Sequence, residues 1–137
     1  MGNIVYLDDI RTPVNAEWVV VRNYDQFVDK VNELGIENID LISLDHDLGH
    51  SAMREYYNNV SPNYTLDYAN ITEKTGYDCL KWLIEQYLSN PPAKYPKIVT
   101  HSANPIGSAN IMGYCNNFYM NAGLEQSCIR VRIEHTV

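Results

Sequence analysis

A chain of 137 residues, 45% of them hydrophobic, can form the core of one domain, and no apolar run in it reaches the roughly 18–20 residues that cross a bilayer. Its formal net charge of −7 excludes a broad basic surface for duplex DNA or RNA, although a phosphate group can still enter a local pocket. Its three cysteines lack C-x-x-C spacing, which argues against a disulfide framework and a structural zinc site and favours a reducing compartment.

The N-terminus has no basic segment and no small-residue cleavage site before its first apolar run, which argues against a signal peptide. We therefore expect a cytoplasmic protein with no membrane partner. The cysteines, Cys79, Cys115 and Cys128, are expected to be small core residues. The sequence makes no prediction of the oligomeric state.

The first predicted strand covers residues 4–7 and ends at the carboxylates Asp8 and Asp9. A β-branched run at residues 18–22 predicts a second strand. The nine residues from Asp9 to Glu17 are fewer than the dozen or so that a parallel crossover normally needs, so the direction of this strand stays open.

The first helix is predicted to begin after Asn23, a residue suited to capping, and to end at Gly35. Its apolar face has residues at helical spacing, namely Phe27, Val28, Val31 and Leu34. Residues 40–44 then form a predicted central strand, which ends in Asp45-His46-Asp47.

Residues 50–71 show no clear periodicity and contain four tyrosines, Tyr56, Tyr57, Tyr64 and Tyr68. The segment is too polar for a core and too aromatic for plain disorder, so we expect an ordered or half-ordered loop that forms a Tyr-rich insertion beside the site. Its tyrosines could stack on a base or ribose, but an amphipathic cover over the core is the more common role.

Thr75 and Asp78 have the spacing of a capping box and predict a helix that ends before Pro91. The apolar face of this helix consists of Leu80, Leu83, Ile84, Tyr87 and Leu88. Residues 96–100 predict a third buried strand.

Asn104 followed by Pro105 predicts the start of the last helix, which ends at Gly123. The apolar face of this helix consists of Ile111, Cys115, Phe118 and Ala122. Residues 128–133 alternate arginine with apolar residues, which predicts a last strand at the edge of the sheet.

The alternation of strands and helices indicates an α/β fold of three layers, with a mostly parallel sheet, helices on both faces and right-handed crossovers. No linker, repeat or low-complexity tract divides the chain. Residues 1–137 are therefore expected to form a single domain.

Three of the predicted strands end in ionisable residues, and in a parallel α/β sheet such ends face one crevice, where ligands bind. Asp8 and Asp9 are equally consistent with a turn or a helix cap. In Asp45-His46-Asp47, two carboxylates flank an imidazole and would orient it for acid–base work or metal binding. His101 supplies a second imidazole at a neighbouring strand end, although either histidine alone could simply bond to nearby backbone.

The start of the last helix is a candidate anion site, because its first free N–H groups lie beside a small residue and a hydroxyl. The candidate phosphate-binding residues are Arg11, Ser102, Asn104, Gly107 and Ser108. Arg22 could make a similar contact, but a surface ion pair is an equally good interpretation.

These groups suit phosphodiester chemistry in which His46 and His101 act as acid and base, each with an effect of roughly 10²–10⁴-fold, while Asp47 orients the imidazole. A divalent cation such as Mg²⁺ or Mn²⁺ would have Asp8, Asp9 and Asp45 as candidate ligands. Without a cation, the carboxylates would oppose phosphate binding.

Five motifs carry a resemblance to a known family: LDDIRTP at residues 7–13, WVVVR at 18–22, ISLDHDLG at 42–49, TGYDC at 75–79 and HSANPIG at 101–107. In this order they resemble the cyclic-phosphate processing receiver domain family, an offshoot of the response-regulator receiver fold. The resemblance implies a receiver-like (flavodoxin-like) α/β sandwich and a role in processing cyclic phosphate ends in RNA repair.

By position, the resemblance implies that Asp8 and Asp9 form the acidic pair of the first strand, that Asp45 and Asp47 form the central acidic motif, and that His46 and His101 are the two histidines of this group. Ordinary phosphoacceptor receivers carry a lone Asp after the central strand and a Lys after the last strand. Here the last strand holds Arg130 and Arg132 instead, which argues against signalling by aspartyl phosphate.

Three functions are consistent with these observations. The first is a hydrolase of cyclic or terminal phosphates of nucleotides or RNA ends, with His46 and His101 as acid and base. The second is a non-catalytic receiver-like module that binds a partner or nucleotide, or keeps phosphoacceptor signalling at Asp45. The third is a metal-dependent phosphohydrolase in which the histidines are metal ligands. The expected ligand is accordingly a small phosphorylated compound or an RNA end.

Overall fold

The computed structural model of the chain describes residues 2–136. Within them the strands are Asn3–Leu7 (β1), Thr12–Pro13 (β2), Trp18–Val21 (β3), Ile39–Leu44 (β4), Lys97–Thr100 (β5), Ile129–Arg130 (β6) and His135–Thr136 (β7). The α-helices are Tyr24–Leu34 (α1), His50–Glu55 (α2), Ser61–Asn63 (α3), Gly76–Ser89 (α4) and Pro105–Asn121 (α5).

The main sheet has five parallel strands in the order β3-β1-β4-β5-β6. The α/β class and the receiver-like parallel sheet predicted from the sequence are therefore confirmed. The chain starts inside the sheet at β1, adds β3 on one side, and then adds β4, β5 and β6 on the other. In such a sheet the strand order reverses next to the first strand, and the ligand crevice lies there, at the carboxyl ends of the strands.

The strand β3 runs parallel to β1, with Ile4 opposite Trp18 and Leu7 opposite Val21. The short link before β3 achieves this without a helix: it consists of bends and a turn on either side of the two extended residues of β2. Extended backbone covers about 3.3 Å per residue, against about 1.5 Å in a helix, so a few residues suffice to return to the start of the sheet. The strand β2 pairs antiparallel with β7.

The helices are concentrated on one face of the sheet. The helices α1, α4 and α5 follow β3, β4 and β5, and all three connections cross the sheet in the same direction, so right-handed crossovers place them on the same side. Contacts between α1 and α4 and between α4 and α5 agree with this placement. Their core includes Leu7 and Leu44, whereas Tyr6 and Ser43, which are also buried, point to the opposite face by strand alternation.

Two predictions about helical faces are wrong. Leu88 is 70% exposed, because Tyr87 continues the buried stripe of α4 in its last turns. Ala122 is exposed and lies just past the end of α5, whose buried stripe runs in steps of four residues through Ile111, Cys115 and Tyr119.

The Tyr-rich insertion is largely helical, so the predicted loop is wrong although the predicted order is right. The helices α2 and α3 are joined by a wider π-helical turn at Tyr56–Val60. The carboxylate of Glu55 is buried and accepts hydrogen bonds from the side chains of Asn59 and Asn70 and from the N–H of Asp67. The polar residues that mask the helical pattern in the sequence thus stabilise the insertion through hydrogen bonds within it.

The last predicted strand is shorter than expected, because only β6 joins the sheet and the chain then leaves it to form β7. The three cysteines are free and buried, as predicted. None of the helices described for residues 2–136 has the length and apolar character needed to cross a membrane.

The start of α4 lies against the end of the central strand, and this close approach requires glycine. The N–H of Gly76 donates to the carbonyl of His46, and a Cβ at Gly76 would lie 1.8 Å from the carbonyl oxygen of Asp45. We expect Gly76→Ala to lower the free energy of unfolding by about 2–3 kcal/mol, measured by urea titration, because backbone must move to relieve the overlap.

Gly113→Ala is the matched control for this substitution. A Cβ at Gly113, inside α5, would meet nothing within 4 Å, so alanine should stabilise the protein by about 0.5–1 kcal/mol through helix propensity. Equal stabilities of the two variants would contradict the close approach at Gly76.

Candidate functional site

Backbone hydrogen bonds hold three strand ends side by side at the carboxyl edge of the sheet. The N–H of Asp45 donates to the carbonyl of Leu7 at 3.0 Å, and the N–H of His101 donates to the carbonyl of Leu44 at 3.0 Å. Asp8, which ends β1, is joined in the same way to β3. The convergence of these strand ends predicted from the sequence is confirmed.

A cavity of about 360 Å³ opens at this edge. Its polar wall consists of Asp8, Asp9, Arg11, Asp45, Asp47 and Ser102, with Ala103 beside them. Its apolar wall consists of Ile10, Met53, Tyr56 and Tyr57, of which the last three belong to the insertion. Charge on one side and aromatic surface on the other suit a ligand with one charged end and one flat, apolar end.

Asp8 is the most strongly bonded carboxylate of the cavity. It is 1% exposed and accepts hydrogen bonds from the backbone N–H groups of Ile10 and Arg11 and from Arg11 Nε at 2.9 Å. Burial alone would raise the pKa of Asp8, but these bonds and a contact with His101 outweigh it and lower the pKa to about 2. Asp8 is therefore ionised at any physiological pH.

Asp45 is the opposite case. Burial and the neighbouring charge of Asp8 raise the pKa of Asp45 from 3.8 to about 7. Its Oδ1 accepts from the N–H of His46 and lies 3.5 Å from Arg11 Nη2. Asp9 is half-buried, and burial followed by the charge of Asp8 raises its pKa as well. The site therefore holds more potential negative charge than its one guanidinium offsets.

Arg11 links the two central carboxylates. Its Nε bonds to Asp8 and its Nη2 faces Asp45, and its side chain is 30% exposed toward the cavity. Burial would lower the pKa of Arg11, but the charges of Asp8 and Asp45 prevail and raise it. Arg22 holds the backbone of the same link, because it donates to the carbonyls of Asp8 and Arg11. Within residues 2–136 it therefore takes neither of the two roles that the sequence left open, a phosphate contact in the cavity or a surface ion pair.

Asp8, Asp45 and His101 form a group suited to a metal ion, since one ligand atom of each lies within 4.8 Å of the others. Burial lowers the pKa of His101 more than its contact with Asp8 raises it, so the imidazole is in the neutral form that binds metals. His101 Nδ1 lies 2.7 Å from the hydroxyl of Ser43, and Nε2 lies 3.2 Å from Asp8 Oδ2. The donor set fits a divalent cation, although Asp9 is not part of it.

His46 lies elsewhere, and the predicted histidine pair is not assembled. The ring of His46 is fully buried, with Nδ1 2.7 Å from Asp47 Oδ1 and Nε2 2.9 Å from the hydroxyl of Tyr68. It packs on the helical side of the sheet against Gly107, where a Cβ would lie 2.3 Å from His46 Cγ. His101 stacks on Tyr6 on the opposite side, at 4.3 Å between ring centroids. The two imidazoles therefore cannot touch one small ligand.

The predicted anion cradle at the start of α5 is also not formed. The side-chain oxygen of Asn104 accepts from the N–H groups of Ile106 and Gly107, which occupies the donors that a phosphate would need. Ser108 is fully buried and donates to the carbonyl of Ser102. Among the predicted phosphate ligands, Arg11 and Ser102 line the cavity, whereas Asn104 donates to Asp47 and so orients that carboxylate.

A family model for the cyclic-phosphate processing receiver domain matches residues 3–117. The chain belongs to the cyclic-phosphate processing receiver domain family. Comparisons with curated proteins and with solved structures gave no match. In this member of the family, residues 118–136 lie beyond the matched region and include β6 and β7.

Several residues of this receiver-like site were not expected from the sequence. Ile10 and Met53 line the apolar wall beside Tyr56 and Tyr57, for which stacking on a base or ribose was one of the two roles inferred from the sequence. Ser43 gave no signal, because a serine inside an apolar strand is indistinguishable from a core serine until its contact with His101 is known.

Proposed function

We propose that this protein is a metal-dependent phosphoesterase that processes cyclic or terminal phosphates of nucleotides or RNA ends in the cavity at the carboxyl edge of the sheet. The observation that carries the proposal is the group of Asp8, Asp45 and His101 beside Arg11. Membership of the family supports phosphate as the reacting group. The proposal corresponds to the third function inferred from the sequence.

The charge of the cavity supports the need for a cation. Four carboxylates and one guanidinium line it, so a phosphate alone would be repelled. Two carboxylates with a neutral imidazole suit Mn²⁺ at least as well as Mg²⁺, which prefers oxygen ligands. When bound, such a cation would offset the phosphate charge and lower the pKa of an attacking water molecule.

The chain's own groups would position the substrate. The guanidinium of Arg11 can bind two phosphate oxygens at once, and the hydroxyl of Ser102 can donate to a third. Tyr56 and Tyr57 offer aromatic surface to the base. This division of the cavity favours a nucleotide over a simple phosphate ester.

The histidines take different roles in this proposal. His101 would bind the cation through Nε2, the atom that lies 3.2 Å from Asp8 Oδ2, and Nδ1 would then carry the hydrogen and donate it to the hydroxyl of Ser43. His46 is a positioning residue that holds Asp47 at the cavity wall, because its bond to that carboxylate is 2.7 Å long.

Metal dependence tests the proposal. The protein, stripped with chelator, should not hydrolyse 2′,3′-cyclic mononucleotides or nucleotide monophosphates, and Mn²⁺ or Mg²⁺ should restore turnover of at least one of them. Inactivity toward the whole panel with every metal would contradict the proposal, and full activity in excess chelator would contradict the role of the cation.

The position of Asp45 favours one alternative, a phosphoacceptor module. Asp45 directly follows the central strand and lines the cavity beside Asp8 and Asp9. Incubation with acetyl phosphate and Mg²⁺ followed by mass spectrometry distinguishes the two functions. A stable adduct on Asp45 without hydrolysis of any ester would favour the alternative.

A further inference from the structure

A second pocket of about 330 Å³ adjoins the carboxylate cavity. Arg11, Ser102 and Ala103 line both spaces, and His101 lines the second pocket only. The far wall of the second pocket carries Arg130, Arg132 and His135. We call it the basic pocket. Its far wall lies after residue 117, so it comes from the part of the chain that the family model does not match.

The basic pocket is strongly positive in a protein whose formal net charge is −7. Within residues 2–136 no carboxylate lines it, and neither Arg130 nor Arg132 forms an ion pair. Arg130 Nε and Nη2 both donate to the carbonyl of Ser102, at 3.1 and 3.0 Å, which leaves its charge without a counter-ion. Such a pocket attracts an anion.

Backbone hydrogen bonds fix the far wall in place. The N–H of Val131 donates to the carbonyl of Thr100 at 2.8 Å, and the N–H of Val14 donates to the carbonyl of Glu134 at 2.9 Å. The pairing of β2 with β7 adds to these bonds. Hydrogen-bonded backbone therefore holds Arg130 and Arg132 next to the carboxylate cavity.

We propose that the basic pocket binds an internucleotide phosphate of an RNA strand whose terminal phosphate occupies the carboxylate cavity. The inference rests on the proposed function and makes it more specific, because it assigns the substrate to oligonucleotides in preference to mononucleotides. Two neighbouring spaces, one suited to a cation-bridged phosphate and one to a phosphate held by arginines, match the repeating charge of a single strand. The shared Arg11 lies between them.

The test compares a short RNA that ends in a 2′,3′-cyclic phosphate with the corresponding cyclic mononucleotide. Arg132→Gln should raise the KM for the RNA about ten-fold relative to the KM for the mononucleotide, because one charged phosphate contact is lost. It should also reduce the salt dependence of RNA binding by about 0.7 in the log–log slope, measured by fluorescence anisotropy. Arg132 is exposed, so its loss should not disturb folding.

Lys97→Gln is the matched control, since it removes one positive charge from an exposed residue at the opposite end of β5. It should leave both KM values as they are. An unchanged ratio of the two KM values in Arg132→Gln would overturn the inference while the proposed function stands. If the wild type hydrolyses neither substrate, the proposed function fails, and equal RNA affinity of wild type and Arg132→Gln would then overturn the inference separately.

Discussion

Asp45→Asn is expected to reduce the turnover of a 2′,3′-cyclic phosphate by about 10³-fold or more, the effect of losing several kcal/mol of charge stabilisation. The substitution keeps the shape of the side chain and its contact with the N–H of His46, but it removes one of the three groups that could hold a cation. Steady-state kinetics over a range of Mn²⁺ concentrations measure the loss. Binding of Mn²⁺, followed by calorimetry, should weaken in parallel.

Asp40→Asn provides the control for that experiment. Asp40 lies on the same strand but pairs with Lys94 at the surface, away from the cavity. It should keep the activity of the wild type. If Asp45→Asn has the same turnover and the same Mn²⁺ affinity as Asp40→Asn, then Asp45 has no role in the proposed site.

Asp45→Asn should also stabilise the metal-free protein at alkaline pH, by up to about 4 kcal/mol at pH 8. Burial and the charge of Asp8 raise the pKa of Asp45 from 3.8 to about 7, so the folded protein holds the proton more tightly than the unfolded chain does. The stability that protonated Asp45 provides is therefore lost as the pH rises from about 4 to about 7. Asparagine has no such titration.

Urea unfolding in chelator at several pH values measures this difference. The two proteins should have similar stability near pH 4, and the variant should become the more stable one as the pH rises. Asp8 affects stability in a lower pH range. Its pKa is lowered to about 2 in the folded protein, so its contribution to stability is present above pH 4 and is lost only as the pH falls from about 4 to about 2. A constant difference between wild type and Asp45→Asn from pH 4 to 8 would contradict a raised pKa at Asp45.

Features that depend on local chemistry were predictable from the sequence. The side chain of Thr75 accepts from the N–H of Asp78 in a full capping box, and Asn104 caps α5 directly before Pro105. The carboxyl ends of the parallel strands meet at one edge because the fold requires it, so Asp8, Asp45 and His101 were expected together. Each of these inferences uses only neighbouring residues or a general rule of sheet geometry.

The placement of His46 could not be predicted in this way. Besides the adjacent Asp47, the ring contacts Tyr68 and Gly107, which are far from it in sequence, and no local pattern indicates these two partners. The same applies to the insertion, where the buried Glu55 replaces the apolar stripe that normally indicates a helix. The role of Arg132 depends on where the chain goes after it leaves the sheet at β6.

The two-stranded ribbon formed by β2 and β7 joins an early segment of the chain to a late one, so it can form only after the strands between them have been synthesised. Arg11 directly precedes β2, and Arg132 lies shortly before β7, so this two-stranded contact joins the backbone on the two sides of the basic pocket. The strands β1, β3, β4 and β5 are all synthesised before β7. The carboxylate cavity, including Arg11, is consequently complete in the chain before the basic pocket, whose far wall depends on the later pairing of β2 with β7.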